Sequence, residues 1–487
     1  MEQSRAPEAL FSDRVKINGV VTLMTLTVNG QLRWSDRCLV VEKEILGFVV
    51  NGSKIKIRTI VETGAGICCG GNKGALVRKN FAFEPLSDDL LRLWCDNLQN
   101  YIDSLGRPKR LFVLVNPYGG KRSASKIFLD FVKPLLEDAN IEITVQETQY
   151  RLHAKEIALS LELPKYDGIV CVSGDGILVE VINGLLERGD WKTAITMPLG
   201  VVPAGTGNGM AKSLLDSAGE PCTPANAVLS IIRGHRRSLD VATISQGQTK
   251  FFSVLMLAWG LVGDIDIESE KYRWMGSARI DFYAIQRIFC LRKYNGCIKF
   301  VPAPGYEACG EVTSIECESA GEVIPSEDGT DKLLVNGQQN GYQGADIDMK
   351  NLNWRKVDGP FVSIWLHNVP WGGEDTMAAP DAKFSDGYLD LIMVKDCTRL
   401  GLLRLMTELN NGGHVKSPHV QYLKVKAFIL EPGPRNDDPS KEGIIDVDGE
   451  LLASGKGTYR CDQKTLLAYE KLHINVEQGL ATLFCPI

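Results

Sequence analysis

The segment Ser173-Gly174-Asp175-Gly176 is the part of this sequence best suited to chemistry. An apolar run precedes it at 170–172, and an amphipathic helical pattern follows from Ile177. This order predicts a turn just past the carboxyl end of a parallel strand, where α/β sheets bind ligands. Glycine lets backbone amides approach a phosphate, whereas a carboxylate there needs a metal ion or a substrate hydroxyl as its partner. The turn therefore predicts phosphoryl transfer.

Two further loops share this character. Asn116 to Arg122 reads NPYGGKR and Ala204 to Gly209 reads AGTGNG, and each lies between a predicted strand and a predicted helix. Helix amino termini and glycine-flanked amides bind phosphate oxygens. Three such loops at successive strand ends would converge on one edge of a sheet. Neither a Walker A loop nor a GxGxxG fingerprint is present, which argues against P-loop enzymes and Rossmann dehydrogenases.

The elements around these loops predict three units. Residues 1–107 read as short β-strands closed by a helix, and 108–240 alternate strands with helices, as in a parallel sheet with covered faces. Residues 241–487 are β-rich and sandwich-like, with an acidic, disordered insertion at about 303–348. The expected fold class is α/β, with a parallel nucleotide-binding sheet and a β-rich lipid-binding domain.

The first unit resembles a pleckstrin-homology-like domain in pattern. Asn-Gly pairs at Asn18-Gly19, Asn29-Gly30 and Asn51-Gly52 predict hairpin turns. Ser87 is the expected N-cap of the closing helix. Such a unit is either a stabilising domain without a ligand or an adaptor for a membrane or a protein partner.

Composition narrows the function class. The chain has 487 residues and a net charge of −6, which gives no overall electrostatic match for nucleic acid. The longest apolar stretch, about 251–263, is too short for a transmembrane helix, and the first residues lack a secretory signal. The thirteen cysteines are odd in number and scattered, which indicates reduced thiols and a cytoplasmic protein.

The motifs together resemble the diacylglycerol kinase catalytic-domain superfamily, which includes sphingosine, ceramide and, more distantly, NAD kinases. The resemblance is carried by NPYGGKR, SGDG, VEVINGL, PAGTGNGMA and RSLDVA. Residues 258–281, with the run ESEKYR, are similar to sphingosine kinases in particular, of a plant type. The run IIDVDGELL near the carboxyl end fits the same family.

The resemblance implies ATP and Mg²⁺ as cofactors, and Asp448 as a Mg²⁺ ligand. It implies that Arg273 and Arg279 reach the transferring phosphate. The nucleotide and its phosphates would be bound by Asn116, Pro117, Tyr118, Gly119, Gly120, Lys121, Thr148, Gln149, Tyr150, Arg151, Leu152, Ser173, Gly174, Gly176, Glu180, Gly205, Thr206, Gly207, Asn208, Arg273, Arg279, Asp448, Gly449 and Glu450. Glu180 is expected to face the same site one helical turn past Asp175.

Two carboxylates carry the expected chemistry. Asp175 is the expected general base for a substrate hydroxyl, and the alternative is a structural aspartate in an Asx turn. Ser173 to Gly176 and Asp266 would bind the lipid head, because a carboxylate complements the ammonium of a sphingoid base. On charge alone Asp266 could instead belong to a solvated acidic stretch, paired with Lys271 and Arg273.

These features predict a lipid kinase that transfers the γ-phosphate of Mg-ATP to the primary hydroxyl of a sphingoid long-chain base. A ceramide or diacylglycerol kinase is the nearest alternative, and a catalytically silent adaptor is an alternative of another class. Because the substrate is dissolved in a membrane, the enzyme is expected to attach reversibly from the cytoplasm, for example to the vacuolar membrane. No nucleic-acid partner is expected.

Overall fold

The computed structural model describes residues 8–62, 76–120, 122–276, 278–314, 341–345, 352–458 and 465–486. The first unit is a seven-stranded antiparallel sheet in the order β4-β3-β2-β1-β7-β6-β5, followed by a long helix. Its elements are β1 Ala9–Ile17, β2 Val20–Thr27, β3 Gln31–Trp34, β4 Arg37–Val40, α1 Val41–Glu44, β5 Ile45–Asn51, β6 Lys54–Glu62, β7 Leu76–Pro85 and α2 Asp88–Ser104.

Local sequence signals set this unit. Asn18 and Gly19 both have positive φ, as a tight hairpin turn requires, and they connect β1 to β2. The Ser87 hydroxyl accepts a hydrogen bond from the amide of Leu90 and so caps α2. Trp94 on α2 is fully buried against the sheet. The predicted pattern of strands followed by a closing helix is confirmed.

The second unit is the predicted parallel sheet with helices on both faces. Its strands lie in the order β9-β8-β10-β11 and are buried apart from β9 at the edge. The elements are β8 Arg110–Val115, α3 Ala124–Ile127, a π-helical turn Phe128–Val132, α4 Lys133–Asp138, β9 Glu142–Glu147, α5 His153–Ser160, β10 Gly168–Ser173, α6 Asp175–Glu187, α7 Trp191–Ala194, β11 Leu199–Pro203, α8 Gly209–Asp216 and α9 Pro224–Arg233.

The rest of the chain is β-rich, as expected, with a helical segment between β14 and β15. Its elements are β12 Arg236–Gln246, β13 Thr249–Ser253, β14 Met256–Gly260, α10 Leu261–Glu268, a 3₁₀ segment Ser269–Met275, α11 Ala278–Phe289, β15 Tyr294–Pro302, β16 Glu311–Val312, β17 Arg355–Asp358, β18 Ser363–His367, β19 Trp371–Gly373, β20 Thr376–Met377, β21 Leu389–Val394, α12 Arg399–Glu408, β22 Gln421–Arg435, β23 Ile444–Val447, β24 Glu450–Ser454 and β25 Leu472–Phe484.

The last strand, β25, joins the two larger units into one sheet. It pairs antiparallel with β12 and β22, and its end pairs parallel with β11 at Leu199 and Leu483. The expected boundary between residues 240 and 241 therefore falls inside β12. Because the sheet is continuous across it, the β-rich part is held rigidly beside the loops of the parallel sheet.

Two parts of the expected acidic insertion pack on the folded core. The amide of Ala303 donates to the carbonyl of Lys424, and the amide of Tyr342 donates to the carbonyl of Leu186. Residues 303–314 and 341–345 are thus structured. The remainder of the expected insertion lies outside the described residues.

Candidate active site

The three glycine-bearing loops meet at the carboxyl edge of the parallel sheet. A Cβ atom placed on Gly205 would lie 2.3 Å from Cα of Gly174, and one placed on Gly120 would lie 2.8 Å from the carbonyl carbon of Gly205. Such approaches require residues without side chains. The loops therefore lie backbone to backbone, as the sequence predicts, and Pro117, Gly119, Thr206 and Gly207 lie in them.

Asp175 begins α6, and its carboxylate reaches the start of α8. Its two oxygens accept hydrogen bonds from the amides of Gly209, at 2.8 Å, and Met210, at 2.9 Å. Burial raises the pKa of the carboxyl despite these amides, and the charge of Glu374 raises the pKa further. Each oxygen keeps a second lone pair. Asp175 can therefore anchor a helix 34 residues away and still accept a proton.

Asn116 connects the first loop to the SGDG turn. Its side-chain oxygen accepts a hydrogen bond from the amide of Tyr118 at 3.1 Å, and its side-chain nitrogen donates to the hydroxyl of Ser173 at 3.4 Å. Tyr118 is 64% exposed at this edge. The asparagine thus fixes the shape of the loop, and the tyrosine ring remains accessible to a ligand.

Glu180 holds the segment expected to contact the nucleotide. Its carboxylate accepts hydrogen bonds from the amides of Leu152 at 2.9 Å and Ala154 at 3.1 Å, which lie at the start of α5. Leu152 has φ +70°, a strained left-handed conformation for a branched residue. Burial raises the pKa of Glu180. Both carboxylate oxygens are thus used to position residues 148–152.

Other contacts fix the same segment. The amide of Thr148 donates to the carbonyl of Val115, and the amide of Gln149 donates to Nδ1 of His153. The ring of Tyr150 stacks on the His153 ring with centroids 4.6 Å apart. His153, which the sequence gave no reason to select, therefore orients two of the expected nucleotide contacts.

Asp448 is buried in the turn between β23 and β24. Its Oδ1 accepts hydrogen bonds from the Ser253 hydroxyl and the amides of Leu255 and Met256, all within 2.9 Å, and Oδ2 accepts one from the amide of Val254 at 3.3 Å. Burial raises its pKa to about 6 in spite of these donors. Asp448 therefore holds the start of β14 in place. Of its two oxygens, Oδ2 has the weaker contact, a single bond of 3.3 Å.

The same turn brings Glu450 to the SGDG loop. A Cβ on Gly176 would lie 3.6 Å from Oε1 of Glu450, and the other carboxylate oxygen is 3.3 Å from the guanidinium of Arg151. Gly449 between them has φ +81°, which glycine adopts without strain. The turn thus closes the cleft between the nucleotide segment and the β-rich part.

Asp266 lies beside a second carboxyl group, that of Asp446 on β23. The two carboxyl groups lie side by side, and burial raises the pKa of both. The charge of Arg279 opposes this rise for Asp266, while Arg279 also pairs with Glu270 at 3.4 Å. The structure thus places Arg279 beside Asp266.

The acidic stretch around Asp266 is not a solvated surface. Asp264 is fully buried and pairs with Arg287 at 3.1 Å, and it accepts a hydrogen bond from the Tyr294 hydroxyl. Glu268 is also buried, and it pairs with Arg292 at 2.9 Å. Asp264 and Glu268 therefore pair with arginines inside the fold. Asp266 differs from both, because its neighbour is another carboxyl group, that of Asp446.

The segment 371–374 forms a wall of the cleft that sequence reasoning missed. A Cβ on Gly209 would lie 2.6 Å from the carbonyl oxygen of Trp371, so this strand covers the start of α8. Glu374 accepts a hydrogen bond from the side chain of Asn208 at 2.6 Å, and Asn208 in turn accepts one from the amide of Gly205. The Gly-Gly-Glu run that follows a buried strand was the available signal.

Two of the expected cations lie outside the described part of the chain, namely Lys121 and the side chain of Arg273. Among the described residues, no group of three or more His, Cys, Asp or Glu side chains has the geometry of a metal site. The remaining expected residues fall into two sets, one at the loop edge around Asp175 and one around Asp266.

Comparison with known families agrees with this arrangement. Residues 110–244 match the diacylglycerol kinase catalytic domain, and 335–467 match the YegS C-terminal NAD kinase beta sandwich-like domain. The chain is 63% identical to sphingosine kinase 1 of Arabidopsis thaliana, over 98% of this chain and 97% of that protein. The chain belongs to the sphingosine kinase family.

A second relative supports this membership. Sphingosine kinase 2 of Arabidopsis thaliana is 58% identical, over 100% of this chain and 99% of its own length. A solved structure of a putative diacylglycerol kinase from Bacillus anthracis is also similar, with a TM-score of 0.49 and 19% identity, covering 78% of this chain and 96% of that one. The family is thus shown by the sequence relatives.

The contact between Gly174 and Gly205 predicts a sharp difference between two glycine variants. In Gly205→Ala the methyl group meets backbone, which should cost on the order of 1–3 kcal/mol of unfolding free energy and displace the phosphate loop. In Gly207→Ala the methyl group lies 3.5 Å from Asp175 and 3.8 Å from Gly372, which is ordinary contact. Thermal melts and nucleotide titration compare the two. Equal losses in both variants would show that the close contact is unimportant.

Burial of Asp448 predicts a pH-dependent stability. Its native pKa of about 6 exceeds the unfolded value, so the native state retains a proton that the unfolded chain loses between about pH 4 and pH 6. Stability from this group is therefore lost as pH rises through that window. Between about pH 4 and pH 7, the unfolding free energy of wild type should therefore fall by on the order of 2–3 kcal/mol relative to that of Asp448→Asn. Urea titrations measure it, and a difference independent of pH would contradict the account.

Proposed function

We propose that this chain transfers the γ-phosphate of ATP to the primary hydroxyl of a sphingoid long-chain base. The observation that carries the proposal is the hairpin of β23 and β24, which contacts two sets of residues. Glu450 of this hairpin lies beside Gly176 in the loop of Asp175, and Asp446 lies beside Asp266. A lipid head that carries both a hydroxyl and an ammonium complements Asp175 and this pair of carboxyl groups.

Asp175 is the proposed general base. Its raised pKa brings proton affinity toward that of an effective base, and the amides of Gly209 and Met210 hold the carboxylate in one orientation. It accepts the proton of the lipid hydroxyl as the oxygen attacks the γ-phosphorus. Phosphoryl transfer needs little further covalent chemistry, because positioning and charge neutralisation supply most of the rate.

ATP is proposed to lie along the three loops, with its phosphates against the backbone of Gly174 and Gly205 and the start of α6. The residues present fit Mg²⁺, which proteins hold by one or two carboxylates plus phosphate oxygens. Glu450, with its side chain 41% exposed beside Gly176, and Oδ2 of Asp448 would hold it. When bound, Mg²⁺ neutralises charge on the transferring phosphate.

The carboxyl pair separates the proposed substrate from neutral lipids. A charge-assisted bond between ammonium and carboxylate is about twice as strong as a neutral one. Ceramide and diacylglycerol carry no cation at this position and would leave the charges of Asp266 and of the fully buried Asp446 uncompensated. A sphingoid base is therefore the better match.

We also propose reversible membrane attachment through an exposed apolar row on α11. Phe282, Ile285 and Phe289 recur at helical spacing and are each about half exposed, and Trp274 before the helix is 82% exposed. Among the described residues, no helix combines the length and apolar character needed to span a bilayer. The row follows the segment of Asp266, so it would meet the lipid surface next to the substrate pocket.

The catalytic role of Asp175 is tested with purified protein, labelled ATP and a panel of sphingosine, dihydrosphingosine, phytosphingosine, ceramide and diacylglycerol. Wild type should label the free bases, and Asp175→Asn should lower kcat by about 10²–10⁴-fold. Asp167→Asn is the matched control, because Asp167 also accepts two successive backbone amides, those of Lys109 and Arg110, but at the opposite edge of the sheet.

Other outcomes of this panel separate the alternatives. Labelling of ceramide or diacylglycerol in preference to the free bases would favour the neutral-lipid kinase. ATP binding without labelling of any lipid would favour an adaptor. Near-full activity of Asp175→Asn would exclude Asp175 as the base.

The apolar row predicts a loss of membrane binding in Ile285→Glu. The branched side chain of Ile285 would be buried in the membrane on attachment, so its loss should lower the vesicle-bound fraction about tenfold. Leu93→Glu on α2 is the control, because Leu93 has the same 46% exposure as Ile285 but lies in the first unit. Vesicle co-sedimentation measures both variants, and equal binding of the two would count against this surface.

A further inference from the structure

Asp446 is a buried carboxyl group without an ordinary partner. It is 0% exposed, and neither of its oxygens receives a hydrogen bond from a donor among the described residues. An unpaired charge in such a place costs several kcal/mol, and a buried carboxyl is normally paired or hydrogen-bonded. Asp448, two residues later, accepts four such bonds. The contrast shows that Asp446 is not needed as an acceptor for the fold.

The position of Asp446 on β23 directs its side chain toward α10 and Asp266. Alternate residues of a strand face opposite sides, and Ile445 and Val447 pack into the core of the β-rich part. Ile444, on the same face as Asp446, packs against Ile267 of α10. Asp266 precedes Ile267, and its carboxyl contacts that of Asp446.

The charges around this contact favour a cation. Asp448 and Glu450 add negative charge near Asp446, and Glu270 adds it near Asp266. Arg279 is the described cation that acts on Asp266, but its guanidinium also pairs with Glu270. A bound group with one positive charge and several N–H donors would satisfy both carboxylates.

We propose that Asp446 is a second specificity-determining carboxylate, which binds the ammonium of the sphingoid base together with Asp266. This inference rests on the proposed function. A primary ammonium has three donors. One carboxylate cannot direct all of them, whereas two carboxylates on α10 and β23 receive them from two sides and fix the head with its hydroxyl toward Asp175.

The test compares a base with a lipid that lacks the ammonium. The KM and kcat of dihydrosphingosine are measured, together with the inhibition constant of the chain-matched 1,2,3-triol, in which a hydroxyl replaces the amino group. Asp446→Asn keeps the shape and can donate to Asp266, so the fold should be retained. Ile444→Val is the control for packing, because it alters the same strand face and leaves the carboxyl.

Asp446→Asn should raise KM for the base about 10–100-fold, the value of a hydrogen bond to a charged group, and leave kcat within about threefold. The inhibition constant of the triol should stay within about twofold, and Ile444→Val should leave all three constants near wild type. Thermal melts show whether each variant folds. If Asp446→Asn does not fold, the same three constants are measured for Asp446→Ser, and the same changes are expected.

Two results would overturn the inference. An unchanged KM for the base in Asp446→Asn would show that the carboxyl does not bind the head. A rise in KM matched by an equal rise in the inhibition constant of the triol would show general damage to the pocket. Wild-type protein that phosphorylates no free base would instead refute the proposed function, so the two failures are distinct.

Discussion

Two hydrogen bonds from the first turn of α8 to the carboxylate of Asp175 hold the catalytic edge together. They tie α6 to α8, and with them the loop that begins at Gly205 is pressed against Gly174. In the same way, the carboxylate of Glu180 accepts two backbone hydrogen bonds at the start of α5. Carboxylates at helix amino termini thus shape this edge of the sheet, and burial raises the pKa of Asp175, which is proposed to act as the base.

The continuous sheet extends this edge into the β-rich part. Because β25 pairs with both β11 and β22, one sheet runs from the parallel strands through β22, β21, β18 and β14 to β23, and this holds the hairpin of β23 and β24 with Glu450 next to Gly176. The strained backbone of Leu152 and Asp448 lies where segments from different units meet. Such strain persists when surrounding contacts over-determine a conformation, as they do here. These contacts therefore fix the hairpin of β23 and β24 relative to the loops of the parallel sheet.

Local patterns made much of this predictable from the sequence. Asn-Gly turns, the Ser87 cap and the strand–loop–helix order follow from short-range preferences, and three glycine-rich loops at strand ends must share an edge. The contact between Asp266 and Asp446 could not be read in this way, because it joins residues far apart in sequence. The same holds for the donors of Asp448 and the reach of Glu374 to Asn208, which depend on the path of the chain.

The central claim is that one carboxylate both anchors α8 and accepts the proton of the lipid. A crystal structure of the complex with a non-hydrolysable ATP analogue and a sphingoid base tests it most directly. The account predicts the primary hydroxyl within about 2.6–3.2 Å of an Asp175 oxygen, with the bonds to Gly209 and Met210 retained. A hydroxyl placed away from Asp175, or a carboxylate that must leave α8 to reach it, would contradict the account.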